Sequence, residues 1–249
     1  MTGVLHVTGN PGGLFHLREG VVVTVDSPGA PGAEALLRRS GRISEGDWTA
    51  ALRLSAEDGS PWADLVARGC IGSAGLQAIA MMVAQDSTFA VAVGGVDDCV
   101  VDDDIPASEL LPVAGGVDPR DLLREAARRL DGLGSLPFDL SPYRERVVHA
   151  AGFDPSATAL TADRRDILEH ASGRRSARDI AFLVGRGVYP VTVEISRMLA
   201  EGILEIAPSA EPVTSSKRIG SLRPRHEAVT VADHGDPGLS ETERKHIGL

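Results

Sequence analysis

The sequence predicts an α+β fold, on three observations. Residues 4–26 alternate apolar and polar side chains between glycine-containing turns, which is typical of an antiparallel β-meander. A helical pattern then occurs twice, with equivalent residues 28 positions apart. Apolar residues return at helical spacing in residues 118–130 and 160–206. Strands therefore come before most of the helices, as in α+β rather than α/β proteins.

Composition limits the classes of function. The chain has 249 residues, 43% of them hydrophobic and 24% charged, which is typical of a globular protein. Its net charge of −10 argues against non-specific binding to nucleic acid or to anionic membranes. Residues 1–110 hold six arginines and fifteen acidic residues, so most of the negative charge belongs to the front of the chain.

Cysteine content and hydropathy predict the compartment. Two cysteines, Cys70 and Cys99, are too few for a disulfide scaffold. The N-terminus has no basic region before its first apolar run, so no signal peptide is predicted. The longest purely aliphatic runs, such as residues 21–23, are too short to cross a bilayer. We expect a cytoplasmic protein with no membrane partner.

The first 26 residues predict three strands, at residues 4–7, 14–17 and 21–25. The intervening Gly-Asn-Pro-Gly and Glu-Gly sequences have the composition of tight turns. No Gly-Lys-Ser or Gly-Lys-Thr follows these glycines, so they are interpreted as hairpin turns rather than as a phosphate-binding loop.

Two copies of a helix–turn–helix pattern follow, LLRRSGRISEGDWTAAL and LVARGCIGSAGLQAIAM. Each copy contains a Gly-x-Ile turn, which begins at Gly41 in the first and at Gly69 in the second. Ser44 with Asp47 is expected to cap the second helix of the first copy, and Ser73 that of the second copy. Two copies are too few for a solenoid, so we expect paired helical hairpins that pack on the sheet.

A further strand and an acidic loop are predicted after the repeat. Residues 88–93 are predicted to form the strand, and residues 97–104 the exposed loop. The loop's aspartates could bind a divalent cation, but they lack the calcium-loop spacing with its terminal glutamate. A solvated loop is therefore the preferred interpretation.

The hairpins, the two helical copies and the final strand carry a pattern at these positions: Leu5, Val7, Gly13, Phe15, Leu17, Gly20, Val22, Gly32, Ala35, Gly41, Ile43, Gly69 and Ile71. This pattern resembles a PATAN domain, an α+β module of bacterial signalling proteins that often occurs beside receiver or DNA-binding domains. The resemblance covers about residues 3–110. It implies a domain that contacts a protein partner and has no catalytic residues.

The repeat is also similar to the N-terminal domain of type II secretion ATPases, some of which bind cyclic di-GMP through paired Arg-Leu-Gly triplets. The matching positions here are residues 31–33 (Pro-Gly-Ala) and 60–62 (Ser-Pro-Trp), which lack both arginines. No cyclic-dinucleotide site is therefore predicted. Trp62 begins a helix at the second triplet, where it either staples the helix to the sheet or anchors a partner as a partly exposed side chain. It is the candidate partner-binding residue.

Residues 111–158 are predicted to be a helical connector. Asp118 is a candidate N-cap for a helix over residues 118–130, with Pro119 at its first position. The predicted buried stripe of this helix consists of Leu122, Leu123, Ala126, Ala127 and Leu130. A second helix is predicted at residues 142–150. The connector is also the candidate site of a homodimer.

Residues 160–206 predict three short helices and a closing apolar strand. Thr161 is expected to cap the first helix, and Ser176 with Asp179 has capping-box spacing for the second. Pro190 suits the first position of the third. This order of elements resembles a winged helix-turn-helix domain over residues 159–207, which implies double-stranded DNA as a partner.

In that resemblance the third helix lies in the DNA groove. Its spacing predicts a buried stripe of Val191, Ile195, Met198 and Leu199 and an outward face of Val193, Ser196, Arg197 and Ala200. The candidate DNA contacts are Arg174, Arg175, Arg178, Thr192, Ser196 and Arg197. Seven arginines and seven acidic residues balance in this stretch. The predicted module is therefore only weakly cationic.

No catalytic or metal-binding arrangement is predicted. The seven histidines are scattered without ligand spacing. His6 and His16 either face each other across the first hairpin or are paired strand residues on a wet face. Neither cysteine has a neighbouring histidine motif, and no Gly-x-Ser-x-Gly occurs. We expect no enzyme activity, no metal and no cofactor.

Two functions follow from these expectations. The first is a bacterial transcriptional regulator, in which a PATAN-like interaction domain controls a winged helix that contacts DNA. The alternative is a signalling adaptor in which both parts bind proteins and no DNA is bound. From residue 208 onward, Pro, Ser, Gly and mixed charge without periodicity predict a disordered tail over residues 208–249.

Overall fold

The computed structural model describes residues 1–55, 60–102, 110–155 and 159–208. Residues Met1–Ser209 form one compact unit. Of the predicted tail, only Pro208 falls within the described ranges. Of the predicted acidic loop, Asp103 and Asp104 lie outside them.

A four-stranded antiparallel sheet forms the front of the molecule. Strands β1 (Gly3–Gly9), β2 (Gly13–Arg18) and β3 (Val21–Asp26) are the predicted meander, which is confirmed. Strand β4 (Val96–Asp102) pairs with β1, so the order is β3-β2-β1-β4. The prediction of a loop here is wrong, because pairing with β1 holds these residues extended.

The 28-residue repeat is confirmed as two helical hairpins. Helices α1 (Ala33–Arg39) and α2 (Glu45–Ser55) form the first copy, and α3 (Pro61–Ala67) and α4 (Ser73–Gly94) the second. In the turns, Gly41 and Gly69 have φ of 71° and 72°, a left-handed conformation that glycine adopts without strain.

One of the two predicted caps of these hairpins is correct. The Ser44 Oγ accepts a hydrogen bond from the Asp47 amide at 3.1 Å, which caps α2 as expected. The N-cap of α4 is Gly72, which supplies no side-chain cap. The prediction that Ser73 caps this helix is therefore wrong, since Ser73 is its first residue.

Helix α4 continues through residues 88–93, so the strand predicted there is wrong. The Thr88 hydroxyl donates to the Ala84 carbonyl at 2.7 Å, one turn earlier in the helix. Helix α4 is long and apolar enough to cross a membrane, but 61% of its most apolar stretch is buried inside the fold. It is a core helix that is apolar on most sides, and such a helix has no clear periodicity.

Helix α5 (Pro119–Gly134) lies against α4. Its cap is confirmed, because the Asp118 carboxylate accepts from the Arg120 amide at 2.8 Å. Leu122 and Ala126 are buried as predicted, whereas Leu123 is exposed. The contact with α4 uses a narrower stripe of α5 than the periodicity predicts.

The described residues after α5 form a second sheet with three helices. Strand β5 (Arg146–His149) lies where a helix was predicted, and its partners β6 and β7 hold it extended. Helix α6 (Ala162–His170), strand β6 (Ser172–Ser176), helices α7 (Ala177–Val184) and α8 (Val188–Ala200) and strand β7 (Leu204–Ile206) follow. The sheet order is β6-β5-β7.

The predicted caps in this part are confirmed, with one correction. The Thr161 side chain accepts from the Arg164 amide, and Ser176 with Asp179 forms a complete capping box. Pro190 is the third residue of α8 rather than the first, since the helix begins at Val188.

Two hydrophobic cores share helix α4. The first core lies between the front sheet and the repeat helices and includes Leu76 and Ile79 of α4. The first core extends along α4 to Ala84, and the second core surrounds α6, α7 and α8 and includes Phe89 and Ala90 of α4. The two cores are therefore separated on this helix by only about one and a half turns.

Candidate functional site

The N-terminus of helix α8 is held by a side chain from α4. The Asp86 carboxylate accepts hydrogen bonds from the amides of Val188 at 2.6 Å and Tyr189 at 3.1 Å. Gly187 occupies the N-cap position without a side-chain cap, and a Cβ there would lie 3.1 Å from the Asp86 carboxyl group. Asp86 thus satisfies two of the amides that a helix leaves unbonded at its start.

Arg129 of α5 joins this contact. Its Nη1 lies 3.5 Å from Asp86 Oδ1, and its guanidinium stands 5.2 Å from the centre of the Tyr189 ring. The Tyr189 ring meets Phe89 of α4 edge-on at 5.3 Å. Burial raises the pKa of Asp86, while the two amides and Arg129 act in the opposite direction. We call Asp86, Arg129 and Tyr189 the α8 clasp.

A second buried side of α8 corrects the predicted DNA surface. The stripe of Val191, Ile195, Met198 and Leu199 is buried as predicted, but Thr192 and Ser196 are also fully buried. The Ser196 Oγ lies 3.3 Å from the Phe138 amide and 3.2 Å from the Phe138 carbonyl oxygen. Two of the predicted DNA contacts, Thr192 and Ser196, are therefore buried rather than on the outward face of α8, and the chain around Phe138 covers Ser196.

The strip of α8 that remains exposed is balanced in charge. Along α8, every residue of which is described, Arg197 is the one cationic side chain, and it lies 3.5 Å from Glu194. Arg164 of α6 binds Glu194 at 2.5 Å and Glu201 at 2.6 Å. Its hydrogen bonds with both acids raise the pKa of Arg164. Two arginines and two glutamates thus pair across α6 and α8.

The other three candidate arginines lie on two elements. Arg174 and Arg175 are on strand β6, not on a helix, and Arg178 is in the first turn of α7. Arg178 donates to the Pro28 carbonyl at 2.5 Å, and Arg175 donates to the His170 carbonyl at 3.3 Å. Arg174 is exposed. The three arginines therefore do not share one element of secondary structure.

Trp62 is part of the first core. Only 6% of it is exposed, and its ring lies 5.0 Å from the ring of Trp48, tilted by 44°. A side chain in this position cannot anchor a partner without leaving the core. Trp62, the candidate partner-binding residue, is therefore buried, and its ring packs on Trp48 of helix α2.

Within the described residues, no group of three or more His, Cys, Asp and Glu side chains could hold a metal ion. His6 and His16 are diagonal neighbours, since His16 is paired with Val4 and His6 with Leu14. His16 is buried, and that burial lowers its pKa, with His6 acting in the same direction and Asp26 in the opposite one. The structure thus places the two histidines close together without forming a ligand set.

Glu125 gives a testable dependence on pH. Hydrogen bonds from Arg128 and Arg129 lower the pKa of its carboxyl group to about 2. A carboxylate with a depressed pKa stabilises the folded state above its unfolded pKa, and that contribution is lost as the pH falls towards the folded value. We expect Glu125→Gln to make the free energy of unfolding less dependent on pH between about 4.5 and about 2, measured by urea denaturation. Parallel profiles for the two proteins would contradict this assignment.

Two features of the site were missed in the sequence. Asp86 is the only charged residue of residues 76–96, and a single carboxylate in an apolar helix signals a buried partner. Arg146 was placed on a helix, but on β5 it donates to the Arg174 carbonyl at 2.6 Å and lies 3.6 Å from Asp179. No local sequence signal predicts these contacts of Arg146, because they depend on the pairing of β5 with β6.

Comparison with protein-family models, with curated proteins and with solved structures finds no match to this chain.

Proposed function

We propose that this chain is a cytoplasmic signalling adaptor that binds proteins through its front and rear parts and does not bind duplex DNA. The observation that carries the proposal is the closed surface of α8. A groove-reading helix offers Arg, Asn or Gln to base edges and further cations to phosphates. Here Thr192 and Ser196 are buried, and Arg197 lies beside a carboxylate.

Two resemblances support a regulatory role. The meander, the repeated hairpins and a final strand beside β1 are the features expected of a PATAN-like interaction domain. The order helix, strand, helix, helix, strand in residues 162–206 supports a winged-helix-like rear part. In this proposal the rear part has the helix arrangement of a winged helix, but its third helix packs inside the fold instead of contacting DNA.

A transcriptional regulator is the second candidate, and one observation favours it. Arg174 is exposed, and Arg146 and Arg178 line a polar cleft beside it on β5 and α7. Phosphate contacts by these arginines would position the protein on DNA without reading bases. Asp179 lies within the same cleft, at 3.6 Å from Arg146 and 3.3 Å from Arg178, and reduces its positive charge.

Titration with duplex DNA separates the two candidates. We expect the full chain to show no saturable change in fluorescence anisotropy of labelled genomic duplex fragments at moderate salt. If binding does occur, a variant with Arg174, Arg175 and Arg178 changed to alanine tests the cleft. Each lost phosphate contact lowers the slope of log affinity against log salt by about 0.9.

The matched control is a variant with Arg120, Arg124 and Arg128 of α5 changed to alanine. It removes the same charge from another surface, so it reports any effect of net charge alone. Saturable DNA binding that is weakened by the changes at Arg174, Arg175 and Arg178, but not by those on α5, would overturn the adaptor proposal. It would establish the transcriptional regulator instead.

A further inference from the structure

Strand β4 is the most exposed element of the front sheet. All seven of its residues are exposed, and only β1 pairs with it among the residues that are described. Its sequence contains no proline and no lysine, the residues that commonly block a sheet edge. Among the described residues no strand lies beside the outer edge of β4, where the Cys99 amide donates to the Asp98 carboxylate at 2.8 Å.

An apolar groove of about 250 Å³ lies beside this edge. Leu5, Val7 and Cys99 line it from the sheet, and Val91 of α4 and Leu122 of α5 line it from the helices. Paired residues of neighbouring strands share a face of the sheet. Val101 pairs with Leu5 and therefore extends the groove face towards the edge.

The other face of β4 carries charge. Asp98 is paired with Thr8 and Val100 with His6, which puts both on the face opposite the groove. The aspartates of β4 belong to a front part that carries a net charge of −9, from six arginines and fifteen acidic residues. A strand added to β4 would thus meet an apolar surface on one face and an acidic surface on the other.

We propose that the outer edge of β4 binds an extended segment of a partner protein in which apolar residues alternate with Lys or Arg. Side chains of an added strand point alternately to the two faces, so the apolar ones enter the groove and the basic ones meet Asp98 and its neighbours. This inference rests on the proposed adaptor function and names the surface and the chemistry of its partner.

A second copy of this chain fits the edge less well. Antiparallel pairing of two β4 strands about Val100 would place Asp98 of one copy opposite Asp102 of the other. Like charges directly opposite each other destabilise a strand pair. Charge therefore favours a basic partner strand, and self-association is an outcome that the test must separate.

The test uses the full chain and labelled peptides of seven residues, the length of β4. One peptide alternates Val or Leu with Lys or Arg. A second has the same composition with the alternation destroyed, and a third replaces the basic residues with Glu. We expect the alternating basic peptide to bind in fluorescence anisotropy at least about tenfold more tightly than either of the others.

Two variants and one matched control locate the binding. Asp98→Lys reverses the charge beside the edge, and Leu123→Ser removes an apolar side chain that lines the groove. Leu123 is 64% exposed, and Leu54, which is 63% exposed on α2, provides the control variant Leu54→Ser. We expect each of the first two to weaken binding by about tenfold and the control to leave it unchanged. Thermal melts followed by circular dichroism establish that each variant is folded.

Three results would overturn the site: equal binding of the three peptides, no binding, or binding that neither Asp98→Lys nor Leu123→Ser changes. Concentration-dependent dimerisation in analytical ultracentrifugation that Asp98→Lys alters would identify a second copy as the occupant instead. The peptide titration tests only the β4 site. The duplex titration tests the adaptor function, so failure of one is distinguishable from failure of the other.

Discussion

Changing Asp86 to alanine is expected to lower the free energy of unfolding by about 3–5 kcal/mol, because it breaks a buried charge contact from one side. The Val188 and Tyr189 amides lose their acceptor, and Gly187 has no side chain to replace it. Arg129 loses this carboxylate at 3.5 Å but keeps its ion pair with Glu125 at 2.7 Å. Urea denaturation followed by circular dichroism measures the loss.

Three further variants separate the parts of this effect. Asp86→Asn retains the size of the side chain and one acceptor oxygen, so its loss should be smaller. Met82→Ala, at an exposed position of the same helix, should change stability by less than about 0.5 kcal/mol. Arg129→Met, made alone and together with Asp86→Ala, completes a double-mutant cycle that measures how much of the loss depends on Arg129, which also pairs with Glu125 at 2.7 Å. If Asp86→Ala proved no more destabilising than Met82→Ala, the α8 clasp would have no energetic role.

The second large effect is expected at Trp48. Trp48→Ala should destabilise the protein by about 3–5 kcal/mol, the usual range for removing a buried aromatic side chain. Its ring packs on Trp62 at 5.0 Å and joins α2 to α3, so the cavity would lie between the two copies of the repeat. Leu76, the equivalent residue of the second copy, is also buried in this core.

The measurement benefits from the small number of tryptophans. The chain has two, so Trp48→Ala leaves Trp62 as the only indole fluorophore and its emission reports the core directly. Leu54→Ala, at an exposed position of the same helix, is the control, because it shortens a side chain of α2 without opening the core. A stability change at Trp48 as small as that at Leu54 would show that the pair of rings does not hold the repeat together.

Much of the fold could be predicted where local chemistry determines structure. The meander follows from alternation and turn residues, and the repeat follows from equivalent side chains and the left-handed glycines Gly41 and Gly69. The capping box of Ser176 and Asp179 depends on residues three apart. Each of these signals lies within a few residues of the structure that it specifies.

The secondary-structure predictions are wrong where contact with a segment distant in sequence determines the conformation. Residues 146–149 become a strand because β6 and β7 pair with them, and residues 96–102 because β1 does. Residues 88–93 have the β-branched and aromatic composition of a strand, yet they are helical because the core surrounds them. Strand propensity is a weak guide when packing supplies most of the stability.

The candidate site was predicted less well, for the same reason. Arg197 is exposed as expected, but the burial of Ser196 depends on Phe138, which lies 58 residues earlier in the chain. Trp62 is hidden by Trp48 of the preceding copy. The helical period identifies one buried stripe of α8, and it contains no information about a second element that covers the opposite side.

Because two cores share α4, the described part of the chain cannot be divided between its two sheets without opening a core. A fragment that ends after β4 would leave Phe89 and Ala90, which belong to the second core, exposed to water. A fragment that begins at residue 110 would lack Asp86 and start α8 with unbonded amides. Neither half can therefore be transplanted into another protein as it stands, and a fusion partner is better attached at the termini than inserted between the two sheets.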